Sequence, residues 1–153
     1  MFSLFRRKAV DFFSKEEREK IVSAIKQTEK TTSGEVRVFI ENHCTFVDAV
    51  DRAVEIFYSL KMQETAYRNA TLVYVALKDK QLAVFGDEGI YSKTGKDFWK
   101  NAVRNMLLHF DKQHYADGIA DVVKKIGDAL ALHFPYEASI DKNELPDDIV
   151  FGK

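Results

Sequence analysis

One stretch decides the fold: Ala70-Thr-Leu-Val-Tyr-Val-Ala-Leu-Lys-Asp-Lys-Gln-Leu-Ala-Val-Phe85. Its first part is almost continuously apolar, which is typical of a strand covered on both faces of a sheet. Lys78-Asp79-Lys80 then makes a tight turn, and residues 81–85 return as the second strand of a hairpin. The stretch therefore predicts a buried central strand with an antiparallel neighbour.

A further strand and a crossover helix lie upstream of this hairpin. In residues 35–41, Val36, Val38 and Ile40 recur at the period of a strand between charged residues. Phe39 interrupts the alternation, so we expect both faces of this strand to be partly covered. Residues 48–60 carry the apolar spacing of an amphipathic helix. A strand, a helix and a second strand in this order predict a right-handed crossover between two parallel strands.

Three more helices complete the predicted elements. Ser14 and Glu17 have the spacing of a capping box, which begins a helix running to about residue 31. Residues 95–110 and 115–134 are amphipathic, and Pro135 stops the second of them. The predicted fold class is α/β, with a small mixed sheet that has helices on its faces.

Length and composition limit the classes of protein. The chain has 153 residues, which suits a single domain (1–153) with an N-terminal arm at 1–13 and an acidic, irregular tail at 136–153. A net charge of −1 gives no basic surface for nucleic acid. No apolar run approaches the roughly 20 residues of a membrane span, and no secretory signal begins the chain. We expect a cytoplasmic protein.

Polar residues from separate segments are predicted to meet at one edge of the sheet. The hairpin places the end of its second strand, Asp87 and Glu88, beside Asn69, and the parallel crossover adds Glu35. Carboxylate and amide oxygens suit Ca²⁺ or Mg²⁺, so the sequence predicts a divalent cation there, with Asp117 as an additional ligand. The alternative is that these residues only build a loop and cap a turn.

Other reactive residues give weaker signals. Arg68 suits a phosphate or an ordinary surface ion pair. Cys44 and the four histidines lack the spacing of a nucleophilic or zinc site. Aromatic residues of the N-terminal arm beside Arg6 and Arg7 suit either packing on the domain or contact with a membrane surface.

Several motifs, in this order, resemble the TPM domain family. They are Arg68-Asn-Ala-Thr-Leu-Val-Tyr-Val-Ala-Leu77, Gly86-Asp-Glu-Gly-Ile90, Phe98-Trp99, Tyr115-Ala-Asp-Gly-Ile119 and His133-Phe-Pro135. The later motifs are similar to a soluble bacterial subgroup without signal or membrane segments. The resemblance implies a three-layer αβα sandwich, an acidic cavity, divalent cation binding with calcium in some members, and acid phosphatase activity in the plant member.

The resemblance also implies which residues line that cavity. It carries over to Asn69 before the central strand, to Asp87 and Glu88 in the Gly-Asp-Glu-Gly segment, and to Glu35. We therefore expect a non-enzymatic domain that binds a divalent cation, calcium first, and modulates a protein partner through its arm or its acidic tail. The alternative is a metal-assisted acid phosphatase in which Arg68 holds the phosphate of a monoester.

Overall fold

The computed structural model describes residues 8–46, 48–138 and 148–152. A short 3-10 helix (Ala9–Asp11) precedes the main elements. In chain order these are α1 (Lys15–Glu29), β1 (Glu35–Glu41), α2 (Ala49–Ser59), β2 (Ala70–Ala76), β3 (Gln81–Gly86), α3 (Glu88–Thr94), α4 (Lys96–Asp111), α5 (Tyr115–His133) and β4 (Val150–Phe151). No helix in these ranges is long and apolar enough to cross a membrane.

The strands form one mixed sheet in the order β3-β2-β1-β4. β1 runs parallel to both β2 and β4, and β3 runs antiparallel to β2. Helices α1, α4 and α5 cover one face and α2 covers the other. The expected three-layer αβα sandwich is confirmed.

Strand alternation divides the apolar core between the two faces. Val36, Val38 and Ile40 of β1 pack under α1 and α5, whereas Phe39 packs under α2. Every residue of β2 is buried, because helices lie on both of its faces and strands on both of its edges. The prediction of a central strand is confirmed at this position.

Two elements differ from the sequence-based expectation. The Gly86–Gly89 segment, expected as a loop, contains the start of α3, with Asp87 as its N-cap. This helix has only 7 residues and begins Glu-Gly, so no apolar period reveals it. Part of the tail that we expected to be irregular forms β4, which pairs with Phe39 and Ile40 of β1.

The terminal segments lie partly outside the described residues. Ala9 and Phe13 of the N-terminal arm are buried in the core. The described ranges do not include residues 1–7, 139–147 and 153. The expectations for these residues, including contact of the arm with a membrane, therefore also lie outside the described residues.

The capping box of α1 gives the first testable prediction. The Ser14 hydroxyl accepts from the backbone N–H of Glu17 (3.1 Å), and the Ser14 N–H donates to Glu17 Oε1 (2.9 Å). Ser14→Ala is expected to lower the free energy of unfolding by about 1 kcal/mol, because a terminal N–H loses its acceptor. Urea unfolding measures this loss. Ser23→Ala, at an exposed position within α1, is the control and should not lower stability, because alanine favours a helix interior slightly more than serine does.

Candidate functional site

Four of the predicted site residues lie at one end of the sheet, where β1 and β2 start and β3 ends. This end of the strands is the site edge. Glu35 lies opposite Ala70 in the parallel pair, and the Asp87 N–H donates to the Ala70 carbonyl (2.9 Å). Glu35 and Asp87 therefore flank the small Ala70 on its two sides. Asn69 immediately precedes β2, and Glu88 begins α3. These four predicted site residues lie at the same edge.

The fifth predicted residue, Asp117, lies elsewhere. It stands in the first turn of α5, where it accepts a hydrogen bond from Lys20 that lowers its pKa. The other end of α5 reaches the site edge, where the Phe134 carbonyl accepts from the Ser33 N–H (3.0 Å). Because the 19-residue helix is about 28 Å long, Asp117 is remote from the other four. The sequence pattern does not give the direction in which α5 runs across the sheet.

Asp87 is a buried carboxylate held by a guanidinium. Its side chain is 3% exposed, and Arg68 donates to both of its oxygens, from Nε (2.7 Å) and from Nη2 (2.9 Å). Nη1 of Arg68 lies 3.2 Å from Oε1 of the exposed Glu88. The hydrogen bond to Asp87 raises the pKa of Arg68. Of the two alternatives for Arg68, the structure has the ion pair.

Gly89 fixes the backbone that presents Arg68. The Gly89 N–H donates to the Arg68 carbonyl (2.8 Å), and Arg68 itself adopts a left-handed conformation (φ 54°). A Cβ atom at residue 89 would lie 2.1 Å from the Tyr67 carbonyl oxygen and 2.5 Å from that of Arg68. Only glycine permits this close approach, so the sequence Gly-Asp-Glu-Gly sets the position of Arg68 as well as that of the carboxylates.

Asn69 is a buried amide with unused hydrogen-bonding capacity. The residue is 1% exposed, and neither Oδ1 nor Nδ2 has a hydrogen-bond partner in the described part of the chain. Glu35 is equally buried and lies near Arg37, whose pKa is lowered by burial. A buried amide without partners is costly, so a ligand or ion that engaged it would stabilise the fold.

The donor set at this edge is made of oxygens, but it is not a complete cage. Within residues 8–46, 48–138 and 148–152, no group of three or more His, Cys, Asp or Glu side chains is arranged to hold a metal ion. Asp87 and Glu88 converge on one positive charge, that of Arg68. A guanidinium therefore neutralises the two carboxylates at this edge, and the buried amide of Asn69 immediately precedes β2 at the same edge.

A second polar cluster, which was not predicted from the sequence, lies at the opposite end of the strands, where β1 finishes. Arg52 of α2 donates from Nε and Nη2 to the two oxygens of Glu41, each at 2.9 Å. The Tyr74 hydroxyl also donates to Glu41, and burial raises the pKa of Tyr74. A carboxylate ending β1, followed by an arginine early in the crossover helix, was the available signal.

Comparison with known proteins identifies the family. The sequence profile of the TPM domain matches residues 7–129. No curated protein matches the chain. The solved structure of the BA42 protein from the psychrophilic bacterium Bizionia argentinensis is 40% identical, with a TM-score of 0.84 over 92% of this chain and 96% of that one.

Two more distant structures share the fold alone. The N-terminal domain of cg2496 from Corynebacterium glutamicum is 12% identical, with a TM-score of 0.63 over 78% of this chain and 75% of that one. The N-terminal domain of a protein from P. gingivalis is 14% identical, with a TM-score of 0.66 over 82% of both chains. The family match covers most of the chain and agrees with the architecture, and the chain therefore belongs to the TPM domain family.

Proposed function

We propose that this protein is a non-enzymatic domain that binds a divalent cation, calcium first, at Asp87 and Glu88. The observation that carries the proposal is the guanidinium of Arg68, which sits between these two carboxylates. Its position marks the place where the fold concentrates negative charge. A divalent ion placed there would take over the neutralising role of Arg68 with a higher charge.

The exposure of the three side chains supports such an exchange. Asp87 is buried, whereas the Arg68 side chain is 38% exposed and that of Glu88 is 73% exposed. Arg68 can therefore leave toward solvent while Asp87 stays in place. The departure of Arg68 leaves Asp87 as a buried charge that requires a counter-ion, because an unpaired buried carboxylate is strongly destabilising. A released Arg68 would also add a positive charge to the surface that a protein partner meets.

Asn69 is the neutral ligand that the proposal adds. Its amide oxygen is of the type that Ca²⁺ accepts beside carboxylates. Both amide atoms of Asn69 lack a partner in the described chain, so coordination would replace an unmade hydrogen bond. Glu35 lies across Ala70 on the same edge and is the further carboxylate of the proposed site. Mg²⁺ is the competing ion. It requires a stricter octahedral geometry, so a site assembled from separate segments is expected to bind Mg²⁺ with lower affinity than Ca²⁺.

The alternative, a metal-assisted acid phosphatase, is less well supported. Such an enzyme needs Arg68 to hold the phosphate, but Nε, Nη1 and Nη2 of Arg68 all face the oxygens of Asp87 and Glu88. A phosphate would have to approach two carboxylates of its own charge sign. The geometry therefore favours a cation over an anion at this edge.

Thermal unfolding with calcium tests the proposal. At a Ca²⁺ concentration of about 100 times Kd, binding is expected to stabilise the native state by about 2.7 kcal/mol, which raises the melting temperature of a chain of 153 residues by about 5 to 10 °C. Asp87→Asn is expected to abolish the shift, because it removes the buried charge. Arg68→Gln is expected to enlarge the shift, because the competing guanidinium is gone while Asp87 remains.

Asp117→Asn is the matched control, since it removes a carboxylate at the far end of α5. It should leave the calcium shift unchanged. A wild-type melting temperature that is equal in calcium and in chelator would refute the proposal, and so would an undiminished shift in Asp87→Asn. Hydrolysis of a phenyl phosphate by the metal-loaded wild type, lost in Asp87→Asn, would instead favour the phosphatase.

A further inference from the structure

β3 is an outer strand of the sheet, and its outer side is an open strand edge without charged residues. β3 reads Gln-Leu-Ala-Val-Phe-Gly, with no lysine and no proline of the kind that usually protect an edge strand. The Asp87–Ala70 hydrogen bond fixes the phase of the β2–β3 ladder, so the backbone groups of Leu82 and Val84 point away from β2. In the part of the chain that is described, no backbone hydrogen bond outside β3 reaches them.

Helix α2 presents an apolar flank on the side of this edge. Arg52 binds Glu41 of β1 and lies over the Phe39 ring, so that flank of α2 faces β1. Val50, Val54 and Tyr58 follow one another at four-residue spacing on the opposite flank, which faces β3. Val50 and Tyr58 are each 47% exposed.

Helix α4 repeats this arrangement on the other face of the sheet. His109 lies against Gly118 and near Asp121 of α5, so that flank of α4 faces α5. Val103 and Leu107 lie on the opposite flank, away from α5 and toward the β3 side, and Leu107 is 41% exposed. Apolar side chains therefore border the open edge above and below the sheet.

The two ends of β3 carry opposite charges. In the exposed turn before the strand, Lys78 and Lys80 outnumber Asp79. At the other end, Asp87 and the exposed Glu88 share one cation, Arg68, which leaves a net negative charge. When two copies of a strand pair antiparallel about a two-fold axis, the start of one lies beside the end of the other. Such pairing brings Lys80 of each copy next to the Glu88 end of its partner, twice in the dimer.

We propose that this edge is the docking surface for a second copy of the chain, through antiparallel β3–β3 pairing. Leu82 and Val84 of the two copies exchange backbone hydrogen bonds, which extends the sheet across the two-fold axis. The Val50, Val54 and Tyr58 flanks of the two α2 helices meet above it. The charge pattern selects the antiparallel copy, and the inference goes beyond cation binding, with which it shares Glu88.

Charge reversal gives a test that needs no change in the core. The mass of the full chain is measured by light scattering over dilution from about 1 mM to about 1 μM. Chelator is present, so that no cation competes at Glu88. The wild type is expected to dimerise, and Lys80→Glu and Glu88→Lys are each expected to weaken dimerisation about tenfold, because each places like charges together twice. Mixing these two variants should restore a dimer, since both contacts in the heterodimer are then attractive.

Two controls keep the test specific to β3. Lys124→Glu changes an exposed lysine on α5 and should leave dimerisation unchanged. Val84→Pro removes an N–H that points outward, so it should give a folded monomer with the circular dichroism of the wild type. A wild type that remains monomeric at the highest concentration overturns the proposal. A dimer that both charge variants leave unaltered overturns it equally, because the copies then meet elsewhere.

Discussion

Gly89→Ala is expected to lower the free energy of unfolding by about 3 kcal/mol, because a methyl group at this position overlaps backbone rather than a movable side chain. The nearest atoms are the carbonyl oxygens of Tyr67 and Arg68, at 2.1 and 2.5 Å from the added carbon. The gain of about 1 kcal/mol that alanine usually brings to a helix interior is too small to offset this overlap. Urea unfolding measures the loss.

Gly86→Ala is the comparison for this prediction. A Cβ atom there would meet the Trp99 ring at 2.5 Å, and a ring can shift where a peptide group cannot. The expected loss is therefore smaller than for Gly89→Ala. An equal or larger loss at residue 86 would mean that the contact between Gly89 and the segment before β2 is looser than described. Because Gly89 also holds Arg68 in place, Gly89→Ala should also change the size of the calcium shift proposed for Asp87.

Arg52→Ala is expected to cost about 3 kcal/mol of unfolding free energy. Arg52 provides two hydrogen bonds to Glu41, whose side chain is only 7% exposed, and its guanidinium lies near the Phe39 and Phe46 rings. Its removal leaves Glu41 as a buried carboxylate that retains the Tyr74 hydroxyl as a donor but loses its counter-charge. Chemical unfolding of the variant measures the effect.

The exposed partner of Arg52 supplies the control. Glu55 also accepts a hydrogen bond from Arg52, but its side chain is 53% exposed. Glu55→Gln is expected to change stability by less than about 0.5 kcal/mol, as is usual for surface ion pairs. If Arg52→Ala were as mild as Glu55→Gln, then Glu41 would not depend on Arg52 for its charge compensation.

The strands and long helices could be predicted from sequence because their periods are local. β1 occupies Glu35–Glu41 as expected from its alternation, and α2 and α4 begin and end within one residue of the expected bounds. The short α3 carries too few apolar residues to show a helical period. β4 consists of two residues whose pairing with β1 depends on tertiary structure alone.

The site was predictable to the extent that a tight turn fixed it. The hairpin returns the end of β3 to the start of β2, which is why Asp87 could be placed near Asn69. The turn spans residues 77–80, one residue more than expected, so the exact register, with Asp87 beside Ala70, did not follow from the predicted turn. Arg68 forms its ion pair with Asp87 from a left-handed backbone conformation. An arginine in the sequence does not predict that conformation. The remoteness of Asp117 follows from the path of α5 over the sheet, which periodicity does not encode.

The pairing of β4 with β1 has a consequence for synthesis on the ribosome. Phe39 cannot pair with Val150 until about 110 further residues have been synthesised, and this synthesis takes roughly 5 to 20 s at ordinary rates of translation. During that interval the β1 edge has no neighbouring strand on this side, although β1 and β2 can already pair. The nascent chain therefore exposes a second strand edge that the finished protein covers, and an unpaired strand edge is a site where chains can associate wrongly.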